Sequence, residues 1–119
     1  IIPSTGMIKF YNHLPAYELQ KEMEKAEYII GRCGYSSIMD IVAMQKKNIL
    51  IPTPGQTEQE YLANYLFQKK IVFSVSQKNF SLLKTLDEAT RFTYQFPGIT
   101  NGKKFDEVIS KLITTIPVR

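Results

Sequence analysis

The chain has no tryptophan, one cysteine and one histidine among its 119 residues. With Cys33 alone, no internal disulfide can form; a disulfide-stapled scaffold is excluded and a reducing compartment fits. No apolar run approaches the ~20 residues needed to span a bilayer, and no charged–apolar–small leader pattern opens the chain, so a cytoplasmic location is expected, with the inner face of a membrane as a place of peripheral association. Neither sign of charge dominates: 15 Lys and Arg against 11 Asp and Glu give a net +4. That balance is what solvated lysines on helix faces produce; it also tolerates a phosphate-bearing ligand or an anionic membrane surface, and no nucleic-acid partner is expected. No Cys, His, Asp and Glu residues fall at metal-ligand spacing, so no metal and no cofactor are expected. The absence of an acidic cluster for Mg²⁺ or phosphoryl transfer argues against a flavodoxin-like regulatory domain. There is no internal repeat and no low-complexity tract. The first residue is Ile rather than Met, which suggests a truncated piece of a longer protein.

Short apolar runs alternate with helical periods along the rest. Ile8–Tyr11 is a strand candidate, and a helix is expected from Pro15 through Glu27 with Leu19, Met23 and Ala26 at helical spacing. Strands are expected at 28–31 and 48–51, helices at 37–45 and 57–68, a fourth strand at 71–75, and a helix at 78–90 with Phe80, Leu83 and Leu86 on one side. Residues 91–103 read as loop, and 104–115 as a helix patterned by Phe105, Val108, Ile109, Leu112 and Ile113. Alternation at this pace means βαβ units: an α/β, Rossmann-like parallel sheet with helices on both faces, in one domain covering 1–119. The runs at 28–31 and 48–51 are apolar throughout, as strands buried on both faces should be. The sheet is short of the five or six strands of a complete doubly wound domain; the others, and the first Gly-rich phosphate loop, would precede Ile1.

The chemistry concentrates between Tyr28 and Asn64, where an apolar run, a turn and a helix start occur twice. Ser37 with Asp40, and Thr57 with Glu60, fit the capping-box pattern of a hydroxyl followed three residues later by an acid. Gly34, and then Pro52, Pro54 and Gly55, shape the preceding turns and permit close backbone approach. Each feature has a plain reading as a helix start or connector. Each also fits a ligand crevice, because helix N-termini at the carboxyl ends of parallel strands suit phosphate. Arg32 could bridge to phosphate or brace its loop by a salt bridge. Cys33, close to a helix start, is a candidate low-pKa thiol or a small packed residue, and nothing around it completes a nucleophile arrangement. His13 is a candidate general base or an ordinary surface residue. Phe92, Tyr94 and Phe96 are either a partner surface or packing beneath a long loop.

The ordered set Arg32-x-Gly34-x-x-Ser37-x-x-Asp40, Leu50-Ile51-Pro52, Gln59 and Ala63-Asn64 resembles the C-terminal domain of family 28 glycosyltransferases, over roughly residues 8–70. That family includes the bacterial lipid-II-forming N-acetylglucosaminyltransferase. The resemblance implies the (partial) C-terminal domain of a GT-B enzyme, a metal-independent, inverting transferase that takes a sugar, with N-acetylglucosamine expected, from a UDP-sugar. It further implies that Gly34, Tyr35, Ser36, Ser37 and Gln59 hold the donor diphosphate, Asp40 the ribose, Gln59 and Glu60 the donor sugar, and the loop Tyr11, Asn12, His13 and Leu14 the uracil. Asp40 and Glu60 stand where the family commonly has Glu and Gln, and Ala63-Asn64 is one residue out of step with the family's Asn-Ala. No catalytic residue is expected in this chain; the base would come from an N-terminal acceptor domain, so the piece alone should be inactive. The alternative is a non-catalytic donor-binding subunit recruited to a membrane-anchored partner; a sugar-nucleotide epimerase would need further acid and base residues.

Overall fold

The computed structural model describes residues 15–97 and Glu107. Three parallel strands form a sheet: β1 (Tyr28–Gly31), β2 (Lys47–Leu50) and β3 (Phe73–Ser74), in the order β1-β2-β3. Tyr28 pairs with Lys47, Ile30 with Ile49 and Gly31 with Leu50, and β2 then pairs Ile49 with Phe73. Helix α1 (Ala16–Lys25) precedes β1, α2 (Tyr35–Met44) joins β1 to β2, α3 (Thr57–Gln68) joins β2 to β3, and α4 (Leu82–Thr90) follows a 3-10 turn at Gln77–Asn79. Sequential strand order with right-handed crossovers puts α2 and α3 on one face of the sheet. The main core lies there: Ile38, Ile41 and Val42 of α2 and Leu62, Ala63 and Leu66 of α3 pack with Leu50 and Val72. Ile49 points the opposite way by strand alternation, and α4 packs on β2 with Thr85 and Ala89 buried. Helices therefore cover both faces, the expected α/β architecture.

β2 is buried on both sides, as its apolar run predicts, but β1 is not. Ile30 shares the side of its partner Ile49, and α4 reaches β2 without covering β1, leaving Ile30 40% exposed. The expectation of two doubly buried strands holds for β2 alone among the described residues. The expected helix 78–90 is also corrected. It breaks at Phe80-Ser81 into the 3-10 turn and α4, whose inner side is Thr85 and Ala89, while Leu83 is 81% exposed. The fourth strand is reduced to two residues because Ile71 and Val72 are spent turning out of α3 into the core. The candidate strand 8–11 and the candidate helix 104–115 lie outside the described residues, Glu107 apart.

The amino ends of the strands are tied together by polar groups that a hydrophobic pattern does not reveal. Asn48 is fully buried; its Nδ2 donates to the carbonyls of Lys46 (3.0 Å) and Ile71 (3.3 Å), and its Oδ1 accepts from the Phe73 N–H (3.2 Å). The Tyr94 hydroxyl donates to the Asn48 carbonyl and accepts from the Asn48 N–H (3.3 Å). Gln95 N–H donates to Lys70 O at 2.7 Å, which lays the chain after α4 across this end. Phe67, Phe73, Phe92, Tyr94 and Phe96 form a continuous series of ring contacts with centroids 4.8–5.7 Å apart. Of the two readings of Phe92, Tyr94 and Phe96, packing under the loop is the one seen. Lys46 adds a further tie: its Nζ donates to Glu24 O and Ala26 O, at the carboxyl end of α1, where a cation is favoured.

Candidate functional site

All three strands end on the same side of the molecule, and the backbone bonds run on past them. Ile51 N–H donates to Gly31 O (2.8 Å) and Val75 N–H to Leu50 O (3.2 Å), which holds the three exit loops side by side. In an open parallel sheet this rim is where ligands bind.

Helix α2 starts at Tyr35, two residues before the hydroxyl that resembled a cap. Gly34 is the N-cap, with extended backbone (φ −81°, ψ 154°), and no side chain caps the end. The capping box of Ser37 and Asp40 is therefore not formed: Ser37 is the third helical residue, and the turn is made by Gly34. The first amide to be used within the helix is that of Ile38, donating to Gly34 O at 3.0 Å; the amides of Ser36 and Ser37 precede it and have no intrahelical acceptor. No acidic residue sits in this first turn. A Cβ on Gly34 would meet nothing within 4 Å, so the protein's own packing does not require the glycine. Ser36, Ser37 and Asp40 are all exposed, and spacings of three and four place Asp40 on the same side of the helix, one turn in.

The start of α3 is built differently. Gln56 N–H donates to Thr53 O (3.0 Å) across Pro54-Gly55, and Gly55 has φ +83°, the positive value that the third position of a type II turn requires. Thr57 opens the helix but does not cap it; the N-cap is Gln56, again without a side-chain bond, so the second capping box is absent as well. Glu58 and Glu60 lie exposed in the first turn, where their charges offset the positive helix end. Gln59 Oε1 accepts from Thr53 N–H at 2.8 Å. That bond fixes the amide's orientation, leaving the two Nε2 protons as donors toward a ligand.

Arg32 is exposed, and its Nη1 donates to Ile51 O at 3.4 Å. The loop is held by this carbonyl contact and not by the expected salt bridge among the described residues, and the other guanidinium donors remain available at the rim. Cys33 is fully buried in the main core, and burial pushes its thiol from 9.0 up to about 12. It is packing, not a reactive thiolate. Tyr94 is likewise raised, from 10.0 to about 12, mainly by burial. For both groups the unfolded chain loses its proton first, so stability is fully present below about pH 9 and falls as pH rises toward 12. Urea midpoints between pH 8 and 11.5 should decline accordingly, and a thiol reagent at pH 8 should label Cys33 only after denaturant is added.

Gly34 to Ser37, Asp40, Gln59, Glu60 and Arg32 thus all lie on or beside the two adjoining loop-to-helix junctions. Tyr11, Asn12, His13 and Leu14 lie outside the described residues. Two rim residues were not expected at the site: Gln77, and Phe80, which was expected on the apolar side of a helix; with Gly31, Arg32 and Ile51 they line a depression of about 290 Å³.

Residues 8–112 match the family described as glycosyltransferase family 28 C-terminal domain. The chain belongs to this family. No curated protein matches it. Membership makes the chain the donor-binding half of a glycosyltransferase fold, in keeping with loops that offer amides at the carboxyl ends of its strands. Among the described residues of this family 28 domain, no helix is long and apolar enough to cross a membrane.

Proposed function

We propose that this domain grips a UDP-sugar, with the diphosphate on the first-turn amides of α2 and the ribose diol on Asp40. The observation that carries the reading is the contrast between the two helix starts. The α2 end is uncapped, free of acids in its first turn and open at Gly34, whereas the α3 end bears Glu58 and Glu60. A dianionic group is favoured at the first and disfavoured at the second, whose Gln59 amide and Glu60 carboxylate instead suit the hydroxyls of a sugar. In transfer, the α2 amides and Arg32 would stabilise the charge that builds on the departing UDP without a bound metal. An acceptor deprotonated by a base outside this domain would displace it in a single inverting step. N-acetylglucosamine is the sugar proposed, on the family resemblance.

Calorimetric titration of the intact protein with UDP and UDP-sugars tests this, and absence of heat with all of them sinks it. Gln59→Glu is a sharper probe, since the variant keeps an acceptor for Thr53 N–H and loses the outward donors. Its thermal midpoint should stay within about 2 °C of the wild type, a change of under about 0.5 kcal/mol. UDP-sugar affinity should fall about tenfold, the loss of the amide's hydrogen bonds to sugar hydroxyls.

A further inference from the structure

We infer that the segment 104–115 is the helix that covers the open face of β1, lying antiparallel beside α4. The inference starts from an asymmetry in α4. Its buried line is Thr85 and Ala89. Leu82 and Leu86, both half-buried, and Leu83, 81% exposed, lie on one flank of that line; Lys84 and Glu88, both exposed, lie on the other. The helix descends from the carboxyl ends of the strands, where Phe80 lines one depression with Gly31 and Ile51, to the amino ends, where Tyr94 meets Asn48. Viewed down that direction with α4 above the sheet, the right-handed crossovers place β1 to the left of β2. A right-handed helix descending from the viewer carries the leucine flank to the left as well. The leucines therefore overhang β1, whose Ile30 points to the same side and is 40% exposed. Together they make an apolar trough one helix wide.

The chain itself supplies the occupant. After α4, Gln95 N–H donates to Lys70 O at 2.7 Å, and Phe96 stacks on Tyr94 with ring centroids 5.6 Å apart. Pro97 is thus left at the amino ends of the strands, level with the foot of the trough. From there residues 98–103 reach up to about 20 Å when extended, well beyond the ~8–10 Å between the axes of packed helices. A helix over 104–115 is about 18 Å long, enough to run the length of β1, about 13 Å, and on to the rim. Phe105, Val108, Ile109 and Leu112 recur at i, i+3, i+4 and i+7, which makes one apolar stripe. Glu107, on the side opposite that stripe, is helical and exposed, as it is when the stripe faces inward. A second copy of the chain is a poorer occupant. Ile30 and three leucines fall far short of the roughly 20–30 residues a side that a stable interface uses.

The test is cross-linking of the intact protein by a short bis-maleimide, with the native Cys33 buried and out of reach. Leu112 is the stripe residue toward the rim, as Ile30 is in β1 and Leu83 in α4. Ile30→Cys with Leu112→Cys should close within one chain about fivefold or more faster than Lys84→Cys with Leu112→Cys, whose first partner lies on the far flank. Mass spectrometry of the separated monomer reads both. Equal rates for the two pairs, or no closure in either, overturn the inference. Cross-links that join two chains instead also overturn it and make a second copy the occupant. Leu83 is exposed, so Leu83→Cys with Leu112→Cys decides the matter should Ile30→Cys fail to fold, as judged by circular dichroism. None of these outcomes depends on donor binding.

Discussion

Replacing Asn48 with alanine is expected to destabilise the protein by about 2–4 kcal/mol, the largest stability effect of any single polar truncation in the described residues. The side chain is fully buried and makes three hydrogen bonds, to Lys46 O, Ile71 O and the Phe73 N–H. Alanine leaves those backbone groups without a partner in a place water does not reach, and each stranded group costs about 1–3 kcal/mol, with some relief from relaxation. Against a typical total stability of about 5–15 kcal/mol this is a large fraction. Urea unfolding should show a lower midpoint with an unchanged slope. Asn48→Asp should be worse at pH 7, because it loses both donors and buries a charge. It should recover partly toward pH 4, since burial raises the folded-state carboxyl and the deficit grows only as pH climbs above the unfolded value of about 3.9. A midpoint unmoved by Asn48→Ala would mean the network contributes nothing net.

Asp40→Ala should do the reverse, abolishing most UDP affinity at no cost in stability. The carboxylate is exposed and makes no hydrogen bond or ion pair among the described residues, so the fold does not depend on it. A bidentate acceptor for a vicinal diol contributes about 1.5–3 kcal/mol, or roughly 10- to 150-fold in affinity. Titration with UDP reads the loss, and Asp40→Glu, which restores the family's commoner residue, should bind at least as well as wild type. Equal UDP affinity in wild type and Asp40→Ala would remove the ribose from this side chain.

Much of the fold follows from hydrophobic pattern. The strand 28–31 and the helix 57–68 appear with the expected bounds because each is an apolar period with turn residues beside it, Gly34 shortly after the strand and Pro54-Gly55 before the helix. The misplaced features were those where two local signals competed. Ser37 and Thr57 look like caps, yet the backbone turns earlier, at Gly34 and Gln56, because an extended residue is enough to start a helix whose apolar face is already fixed by Ile38, Ile41 and Val42. The period through Phe80, Leu83 and Leu86 competes with a second one through Leu82, Thr85 and Ala89. The second wins because it places small side chains against β2. Asn48 was invisible as a structural residue, since an asparagine before an apolar run reads as a turn former; its partners at Lys46, Ile71, Phe73 and Tyr94 are up to 46 residues away. Gln77 and Phe80 were hidden for a similar reason: they meet Arg32 only once β3 lies beside β2.

The polar network at Asn48 and the loops beyond Gly31 and Leu50 sit at opposite ends of the same short strands, with the main core between them. In genetic terms, the two ends would yield different alleles. A search for temperature-sensitive mutants should return substitutions around Asn48, Tyr94 and Phe73. One for stable but inert protein should return substitutions around Gly34, Asp40 and Gln59. On the proposed donor-binding reading, the rim would be free to change without endangering the scaffold that carries it.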